Sequence, residues 1–276
     1  MTLTAIRPRK SKTTKAAVAT EAKVFTIWGP LGSTGKSTLA LNLAYEFALL
    51  GQRVILLDLD TYSPSLSQLL PVQESTSGLA GAGRLIRQGR FSPEELERLS
   101  INIKHGRTQF RLLPGLPNSN RWSELTPDTV QQLLAVCNLN FDVIVIDVAS
   151  NLEDALTVPE SPTTRNTVTR TAIKLSSNVI TVLTPTQLSI SRYLNAYSEL
   201  DELQKSRTLI LNGDTANQQQ LANAIRSLTK ERIQAQIPRD EPALELAESQ
   251  RLPLALARRK SPARNAIAAL AHKLLA

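Results

Sequence analysis

A glycine-rich stretch near the start of the chain could bind the phosphates of a nucleotide. The sequence WGPLGSTGKST, from Trp28 to Thr38, follows an apolar strand candidate and precedes a helix candidate. Glycines let the backbone fold around phosphates with its N–H groups pointing inward, and the helix N-terminus adds positive potential. We therefore predict a phosphate-binding loop and assign nucleotide contacts to Gly32, Ser33, Thr34, Gly35, Lys36, Ser37 and Thr38.

Lys36 and Ser37 would supply the side-chain chemistry of this loop. The lysine would reach the β- and γ-phosphates and act in catalysis, and the serine hydroxyl would bind Mg²⁺. The match to the pattern G-x-x-x-x-G-K-[ST] is imperfect, because its first glycine position holds Pro30 and Gly29 comes one residue too early. A Gly/Ser-rich turn with a chance lysine is the alternative, and the flanking strand, helix and acidic residues disfavour it.

Three aspartates follow two other strand candidates. Asp58 and Asp60 stand two residues apart at the end of one apolar run, and Asp147 closes the run FDVIVID. Side chains two apart in a strand point the same way, so both could face one site. We expect Asp60 to orient an attacking water and Asp58 and Asp147 to manage the metal ion. Asp142, at the opposite end of its strand, is assigned a structural role.

Short apolar runs alternate with amphipathic stretches from Lys23 onward. Strand candidates span residues 23–28, 53–57, 110–113, 141–146, 178–183 and 208–211, and helix candidates span 36–50, 127–136, 165–175, 187–203, 218–228 and 262–275. Strands of consecutive Val, Ile and Leu separated by helices predict an α/β fold with a doubly wound, mainly parallel sheet and helices on both faces. Such sheets bind ligands beyond the carboxyl ends of their strands, where the loop and the aspartates would meet.

The composition of the chain limits the classes of protein to which it can belong. The 276 residues include one cysteine, Cys137, so no disulfide can form within the chain. No apolar run approaches the roughly 18 residues that span a bilayer, and we expect a cytoplasmic protein. The net charge of +8 raises the odds of nucleic acid or anionic membrane as a partner. Residues 1–22 are basic without apolar periodicity, so we divide the chain into a disordered basic tail, 1–22, and one domain, 23–276.

Two basic clusters and the last helix leave alternatives open. The clusters consist of Arg84, Arg87 and Arg90, and of Arg258, Arg259, Lys260 and Arg264. A solvated basic face is preferred for them, and non-specific DNA contact is the alternative. The helix at 262–275 has few basic residues and no large aromatic, so we expect it to dock on the domain, with at most a peripheral membrane contact.

The order of these motifs resembles the MinD/ParA ATPases, and looks closest to the CpaE/TadZ-like and septum-site-determining branch found in actinobacteria. The resemblance rests on the phosphate loop, on VILLDLD ending at Asp60, on the strand ending at Asp147 and on VITVLTPTQ starting at Val179. It covers about residues 23–275. It implies a P-loop NTPase fold, ATP with Mg²⁺, an ATP-linked homodimer, and contact of Asn212 with adenine.

The resemblance further implies a weak Mg²⁺-dependent ATPase that positions or regulates a cellular assembly, such as a septum, a pilus or segregating DNA. An unknown protein partner and recruitment to membrane, pole or nucleoid would accompany this role. The alternative is a non-hydrolysing nucleotide-binding scaffold that recruits partners for pilus assembly or septum placement. A kinase or biosynthetic ligase would need a substrate pocket that no segment of the sequence supplies.

Two departures from the family pattern favour the scaffold. Family members usually carry a second lysine that reaches the partner subunit's phosphate, although some lack it, and this chain has Leu31 there. The family commonly has a proline where this chain has Ala149. An apolar side chain cannot stabilise transition-state charge, so another cation would have to replace the lysine. Arg121, Arg165 and Arg192 are the candidates.

Overall fold

The computed structural model describes residues 21–72, 78–153 and 165–276. The predicted basic tail lies outside these residues except for its last two. Of these, Ala22 is buried among residues of the hydrophobic core, although the prediction places it in the tail.

A mainly parallel sheet forms the centre of the described part of the chain. Its strands are β1 (Lys23–Trp28), β2 (Val54–Leu59), β3 (Ile101–His105), β4 (Thr108–Leu113), β5 (Val143–Val148), β6 (Asn178–Leu183), β7 (Arg207–Asn212) and β8 (Ile233–Ile237). Their order across the sheet is β3-β4-β2-β5-β1-β6-β7-β8, and β3 runs antiparallel to β4 whereas all other pairs are parallel. This arrangement confirms the predicted fold class.

Helices cover both faces of the sheet. They are α1 (Lys36–Leu49), α2 (Gly78–Arg87), α3 (Pro93–Leu99), α4 (Pro127–Asn140), α5 (Thr167–Lys174), α6 (Gln187–Leu203), α7 (Gln218–Thr229), α8 (Glu241–Gln250), α9 (Leu254–Ala257) and α10 (Pro262–Leu275), and a 3₁₀ helix spans Ser119–Glu124. One core layer lies under α2 to α7, and the other lies under α1 and α8 to α10. Successive residues of a central strand face opposite core layers, which is why β1, β2 and β5 are mostly apolar on both faces.

The two strands that the sequence analysis omits lie at the sheet edges. β3 and β8 have half-exposed or exposed residues along most of their length, because an edge strand packs less completely than a central one. Their sequences, INIKH and IQAQI, therefore alternate with polar residues and lack the continuous apolar run that identified the central strands. α4 continues four residues beyond its predicted end at residue 136.

The last helix docks on the domain, as predicted. Ile267, Leu270 and Ala271 of α10 are buried in the layer that contains α1. The Nζ atom of Lys23 donates to the carbonyl oxygen of Leu275, at 2.6 Å, and so caps the C-terminal end of this helix. No helix in the described ranges is long and apolar enough to cross a membrane.

A buried ion pair fastens α10 to α1 and offers a test of this docking. Arg264 Nε donates to Glu46 Oε1 at 2.7 Å, and 6% of the Glu46 side chain is exposed. Burial raises the pKa of Glu46 above its ordinary value, although Arg264 opposes the shift. We expect Arg264→Ala to lower the free energy of unfolding by about 3 kcal/mol, because it leaves a buried carboxyl group without its partner.

Urea unfolding would measure this loss. Arg259→Ala is the matched control, since Arg259 is exposed in the loop before α10 and its replacement should change stability by about 0.5 kcal/mol or less. An Arg264→Ala protein as stable as the control would contradict the docking role of the pair.

Candidate functional site

The predicted phosphate loop connects the C-terminal end of β1 to the N-terminus of α1. Gly35, the residue before α1, has φ +85, and a Cβ atom there would lie 2.4 Å from Nδ2 of Asn212. That nitrogen donates to the carbonyl oxygen of Thr34 at 2.8 Å, so the loop is tied to the end of β7. No side chain in the described residues caps α1, and its first turn holds no acidic residue. The first N–H groups of the helix therefore remain available to an anion.

Lys36, Ser37 and Asp147 lie together at the end of this loop. The hydroxyl of Ser37 donates to Oδ2 of Asp147 at 2.5 Å. Nζ of Lys36 donates to the hydroxyl of Ser150 at 2.8 Å, and the indole N–H of Trp28 donates to the Ser150 carbonyl oxygen at 3.1 Å. The structure thus brings three predicted site residues together.

Ser150 is a member of this cluster that the sequence analysis did not select. It stands three residues after Asp147, in the segment that follows β5. A polar residue at that distance beyond an acidic strand end was the available signal.

Asp58 is buried beside Asp147 and holds the loop that follows β2. The β2–β5 register pairs Asp58 with Asp147. Oδ2 of Asp58 accepts the N–H groups of Ser65 and Leu66, each at 3.0 Å, and Oδ1 accepts that of Asp60 at 3.3 Å. Burial raises the pKa of Asp58 well above its ordinary value, and the charge of Asp147 adds to the shift. Both oxygens of Asp58 therefore serve the backbone.

Asp60 lies in the same loop and is less buried. Its Oδ1 atom accepts the N–H groups of Tyr62, at 2.8 Å, and of Ser63, at 2.9 Å. These bonds fix the orientation of the carboxylate. The negative charge of Asp60 also raises the pKa of Asp147, which places Asp60 within electrostatic range of the Lys36–Ser37–Asp147 cluster.

The oxygen atoms around Asp147 fit a magnesium ion. Its Oδ1 atom is buried and has no hydrogen-bond partner in the part of the chain that the structure describes. A carboxylate and a serine hydroxyl are the hard oxygen ligands that Mg²⁺ takes, usually with waters and substrate phosphates completing the shell. Groups of three or more His, Cys, Asp or Glu side chains able to hold a metal are absent from the described residues.

Burial raises the pKa of Asp147 from 3.8 to about 7, with a smaller upward contribution from Asp60, while the Ser37 hydrogen bond and Lys36 oppose the shift. Because the folded state binds this proton more tightly than the unfolded state, stability should fall as pH rises from about 4 to about 7. We expect Asp147→Asn to remove part of this loss. Asp58, whose pKa is also raised, would retain the rest.

Urea unfolding of the nucleotide-free protein between pH 5 and pH 8 would check this expectation. The difference in unfolding free energy between Asp147→Asn and the wild-type protein should grow as pH rises. Asp128→Asn, at an exposed position in α4, is the control and should show no such trend. A difference that stays constant with pH would contradict the buried-acid interpretation.

A cavity of about 620 Å³ opens beside the phosphate loop. Its walls come from the loop and α1, from the segments after β6, β7 and β8, and from α8 to α10. Asn212, the predicted adenine contact, lines this cavity together with apolar residues such as Leu39 and Ile267. A largely apolar cleft of this size with a few polar groups suits the base and sugar of a nucleotide.

The three candidate cations occupy different places. Arg192, in α6, donates from Nη1 to the carbonyl oxygen of Leu31 at 2.7 Å and so lies against the phosphate loop. Arg121 pairs with Glu124, and Arg165 binds the carbonyl oxygen of Thr61. Only Arg192 of the three therefore contacts the loop.

Curated relatives match about a third of this chain. The chloroplastic Fe–S cluster assembly factor HCF101 of Arabidopsis thaliana is 28% identical over 110 residues, which cover 32% of this chain and 21% of that relative. The chain thus spans about a fifth of the length of the curated relatives it matches.

Solved structures share the whole fold at low identity. The ParA family ATPase from Chlorobium tepidum TLS has a TM-score of 0.76 and 19% identity, covering 91% of this chain and 98% of that one. The septum-site-determining protein MinD of Pyrococcus horikoshii OT3, complexed with Mg-ADP, has a TM-score of 0.71 and 19% identity, covering 92% and 96%.

A match to a protein-family model identifies the family of this chain as well as its fold. The model described as the CobQ/CobB/MinD/ParA nucleotide binding domain matches residues 25–254, which include the phosphate loop, Asp58, Asp60, Asp147 and Asn212. The chain belongs to the CobQ/CobB/MinD/ParA nucleotide-binding domain family.

Proposed function

We propose that this protein is a Mg²⁺-dependent ATPase of low turnover that works as a switch. The cluster of Lys36, Ser37 and Asp147 carries the proposal. It places a lysine ammonium group, a hydroxyl and a carboxylate oxygen that has no partner among the described residues at the N-terminus of α1, next to a cavity large enough for a nucleoside. ATP would favour a homodimer that engages a partner, and hydrolysis would release it.

The roles of the side chains follow from their contacts. Lys36 would exchange its bond to Ser150 for bonds to the β- and γ-phosphates, while the loop amides from Gly32 to Thr38 bind the remaining oxygens. Ser37 and Asp147 would hold Mg²⁺, which when bound neutralises phosphate charge. Asp58 would stabilise the loop after β2 beside the metal ion, because it accepts backbone N–H groups of that loop.

Asp60 and Asn212 complete the proposed site. The Tyr62 and Ser63 amides orient Asp60, which would in turn orient the attacking water. Asn212 would contact the base from its place in the cavity wall while its amide group keeps the loop closed.

A positioning role is the finer part of the proposal. The protein would place a septum, a pilus or a DNA segment, in a CpaE/TadZ-like manner. The fold that it shares with the ParA family ATPase and the septum-site-determining protein supports a positioning role in general. The protein would then reside in the cytoplasm and be recruited to membrane, pole or nucleoid by a protein partner. Arg84 and Arg90 are exposed and Arg87 pairs with Glu124, so DNA contact through this face remains a secondary proposal.

A non-hydrolysing scaffold is the second candidate, and the exposed side chain of Leu31 favours it. With 56% of Leu31 exposed, the loop presents an apolar group where the family's second lysine would reach a partner's phosphate. Arg192 favours hydrolysis instead, because its guanidinium lies against the same loop and could supply positive charge there.

Phosphate release from ATP by the purified full chain tests the proposal. We expect slow release that requires Mg²⁺, is stopped by excess EDTA and is weaker with GTP. Light scattering after size exclusion should show a dimer with ATP and a monomer with ADP. Nucleotide binding without release would make the scaffold the better account, and no binding of ATP or ADP would contradict both candidates.

A further inference from the structure

Several loops at the carboxyl ends of the sheet meet at one arginine. Arg165, just before α5, donates from Nε and Nη2 to the carbonyl oxygen of Thr61, at 3.1 and 2.6 Å. Its Nη2 also donates to the Ser119 carbonyl oxygen at 3.2 Å, and its Cζ lies 4.0 Å from the centroid of the Tyr62 ring. Thr61 and Tyr62 follow β2, and Ser119 follows β4. A single guanidinium therefore joins the loops of two strands to the start of α5.

Asn166 extends these contacts to the segment after β5. Its Oδ1 accepts the hydroxyl of Tyr62 at 2.8 Å, and its Nδ2 donates to the carbonyl oxygen of Glu153 at 3.0 Å. Thr61 returns a bond from its hydroxyl to the Arg165 carbonyl oxygen at 3.3 Å. Thr61 and Asn166 are buried, so these bonds are shielded from water. We call Thr61, Tyr62, Ser119, Arg165 and Asn166 the Arg165 junction.

The junction adjoins the carboxylate of Asp60. Oδ1 of Asp60 accepts the N–H groups of Tyr62 and Ser63, and Tyr62 is the residue on which the Arg165 guanidinium stacks. A shift of the Thr61–Tyr62 backbone would therefore move the groups that orient Asp60. Misplacement of a reacting group by about 1 Å can lower a rate about 100-fold.

We propose that Arg165 is a positioning residue that holds Asp60 in place and couples the loop after β4 to nucleotide bound at the phosphate loop. This inference rests on the proposed function, which gives Asp60 its part in ATP hydrolysis. The guanidinium suits the task because it is planar, stacks on the Tyr62 ring and donates in several directions at once. A lysine at this position would keep the charge but lose the stacking and the paired donors.

Hydrogen exchange of the full chain, with and without Mg-ADP, tests the coupling apart from hydrolysis. In the wild-type protein, Mg-ADP should slow exchange in the phosphate loop and also at residues 114–119, which do not line the cavity beside that loop. In Arg165→Met the slowing at 114–119 should disappear while that in the phosphate loop persists. Without nucleotide, the Tyr62 and Ser63 amides of Arg165→Met should exchange about tenfold faster than those of the wild-type protein, because local opening of this loop becomes easier.

Two further variants sharpen this test. Arg165→Lys should give an intermediate result, and it remains informative if Arg165→Met folds poorly. Arg98→Met, which removes an exposed arginine of α3 paired with Glu95, should behave as the wild-type protein. Slowing at 114–119 that survives Arg165→Met, or that is absent from the wild-type protein with ADP bound, would overturn the coupling.

Turnover separates positioning from general loosening. We expect Arg165→Met to lower kcat about tenfold or more while KM changes less than about threefold, as expected when a reacting group is misplaced but the nucleotide is still held. An effect confined to KM would overturn the positioning role.

Failure of the proposed function can be distinguished from failure of the coupling. Wild-type protein that binds Mg-ADP but releases no phosphate would refute the proposed hydrolysis, and hydrogen exchange would still decide the coupling. If Mg-ADP does not change hydrogen exchange in the phosphate loop, the proposed nucleotide binding is contradicted. In that case, Tyr62 and Ser63 amides that exchange equally fast in Arg165→Met and in the wild-type protein would also overturn the role of the Arg165 junction.

Discussion

We expect Lys36→Ala to lower the affinity of this protein for Mg-ATP by about 100-fold or more. Lys36 begins α1, and its ammonium group donates to the Ser150 hydroxyl within electrostatic range of Asp147, which accepts the Ser37 hydroxyl. A hydrogen bond to a charged group contributes about 1.5–3 kcal/mol, so losing contacts with two phosphates should cost about 3 kcal/mol or more. The same change removes the charge that opposes the raised pKa of Asp147.

Equilibrium titration with a fluorescent ATP analogue would measure this loss. Lys273→Ala is the matched control, because Lys273 is an exposed lysine of α10 whose Nζ lies 3.4 Å from the Gln234 carbonyl oxygen, away from the phosphate loop. Thermal unfolding of each variant would confirm that the fold persists. An affinity of Lys36→Ala within about threefold of the control would contradict the phosphate role of Lys36.

The central strands could be predicted from sequence because both of their faces are buried. β6 and β1 have the predicted bounds, and α6 and α10 begin and end at the predicted residues. A strand covered on both sides has no polar alternation, so an apolar run flanked by helical periods identifies it. β3 and β8 at the edges carry polar residues at half their positions, and a single sequence does not separate such segments from loops.

The convergence of the glycine-rich loop and the acidic strand ends could also be predicted, because parallel strands bring their carboxyl ends to one edge of the sheet. The contacts of the individual side chains could not be predicted. The Lys36–Ser150 bond joins residues 114 positions apart, and the Arg165–Thr61 bond joins residues 104 positions apart. Such pairs depend on the packing of loops, and no local periodicity records it. Asp58 is an example, since only the structure shows that both its oxygens bind backbone amides.

Asp60→Asn should separate nucleotide binding from hydrolysis. We expect phosphate release to fall about 100-fold or more, which is within the range that a positioned acid or base contributes, while affinity for Mg-ATP changes less than about threefold. Asparagine keeps the shape of the side chain, and its Oδ1 can still accept the Tyr62 and Ser63 N–H groups. The substitution therefore removes the negative charge and leaves the loop in place. Because ATP would then persist, the dimer should also outlast that of the wild-type protein.

Single-turnover phosphate release and light scattering of the ATP-bound protein would measure the two effects. Asp128→Asn is the control, since Asp128 is an exposed acid of α4 that bonds to Gln132 at 2.7 Å. The other two outcomes would contradict this role in different ways. Unchanged phosphate release would show that Asp60 does not orient the water. Loss of both affinity and release would indicate that Asp60 mainly anchors the turn at Tyr62 and Ser63. Loss of release alone, with a longer-lived dimer, is the outcome that a nucleotide switch requires.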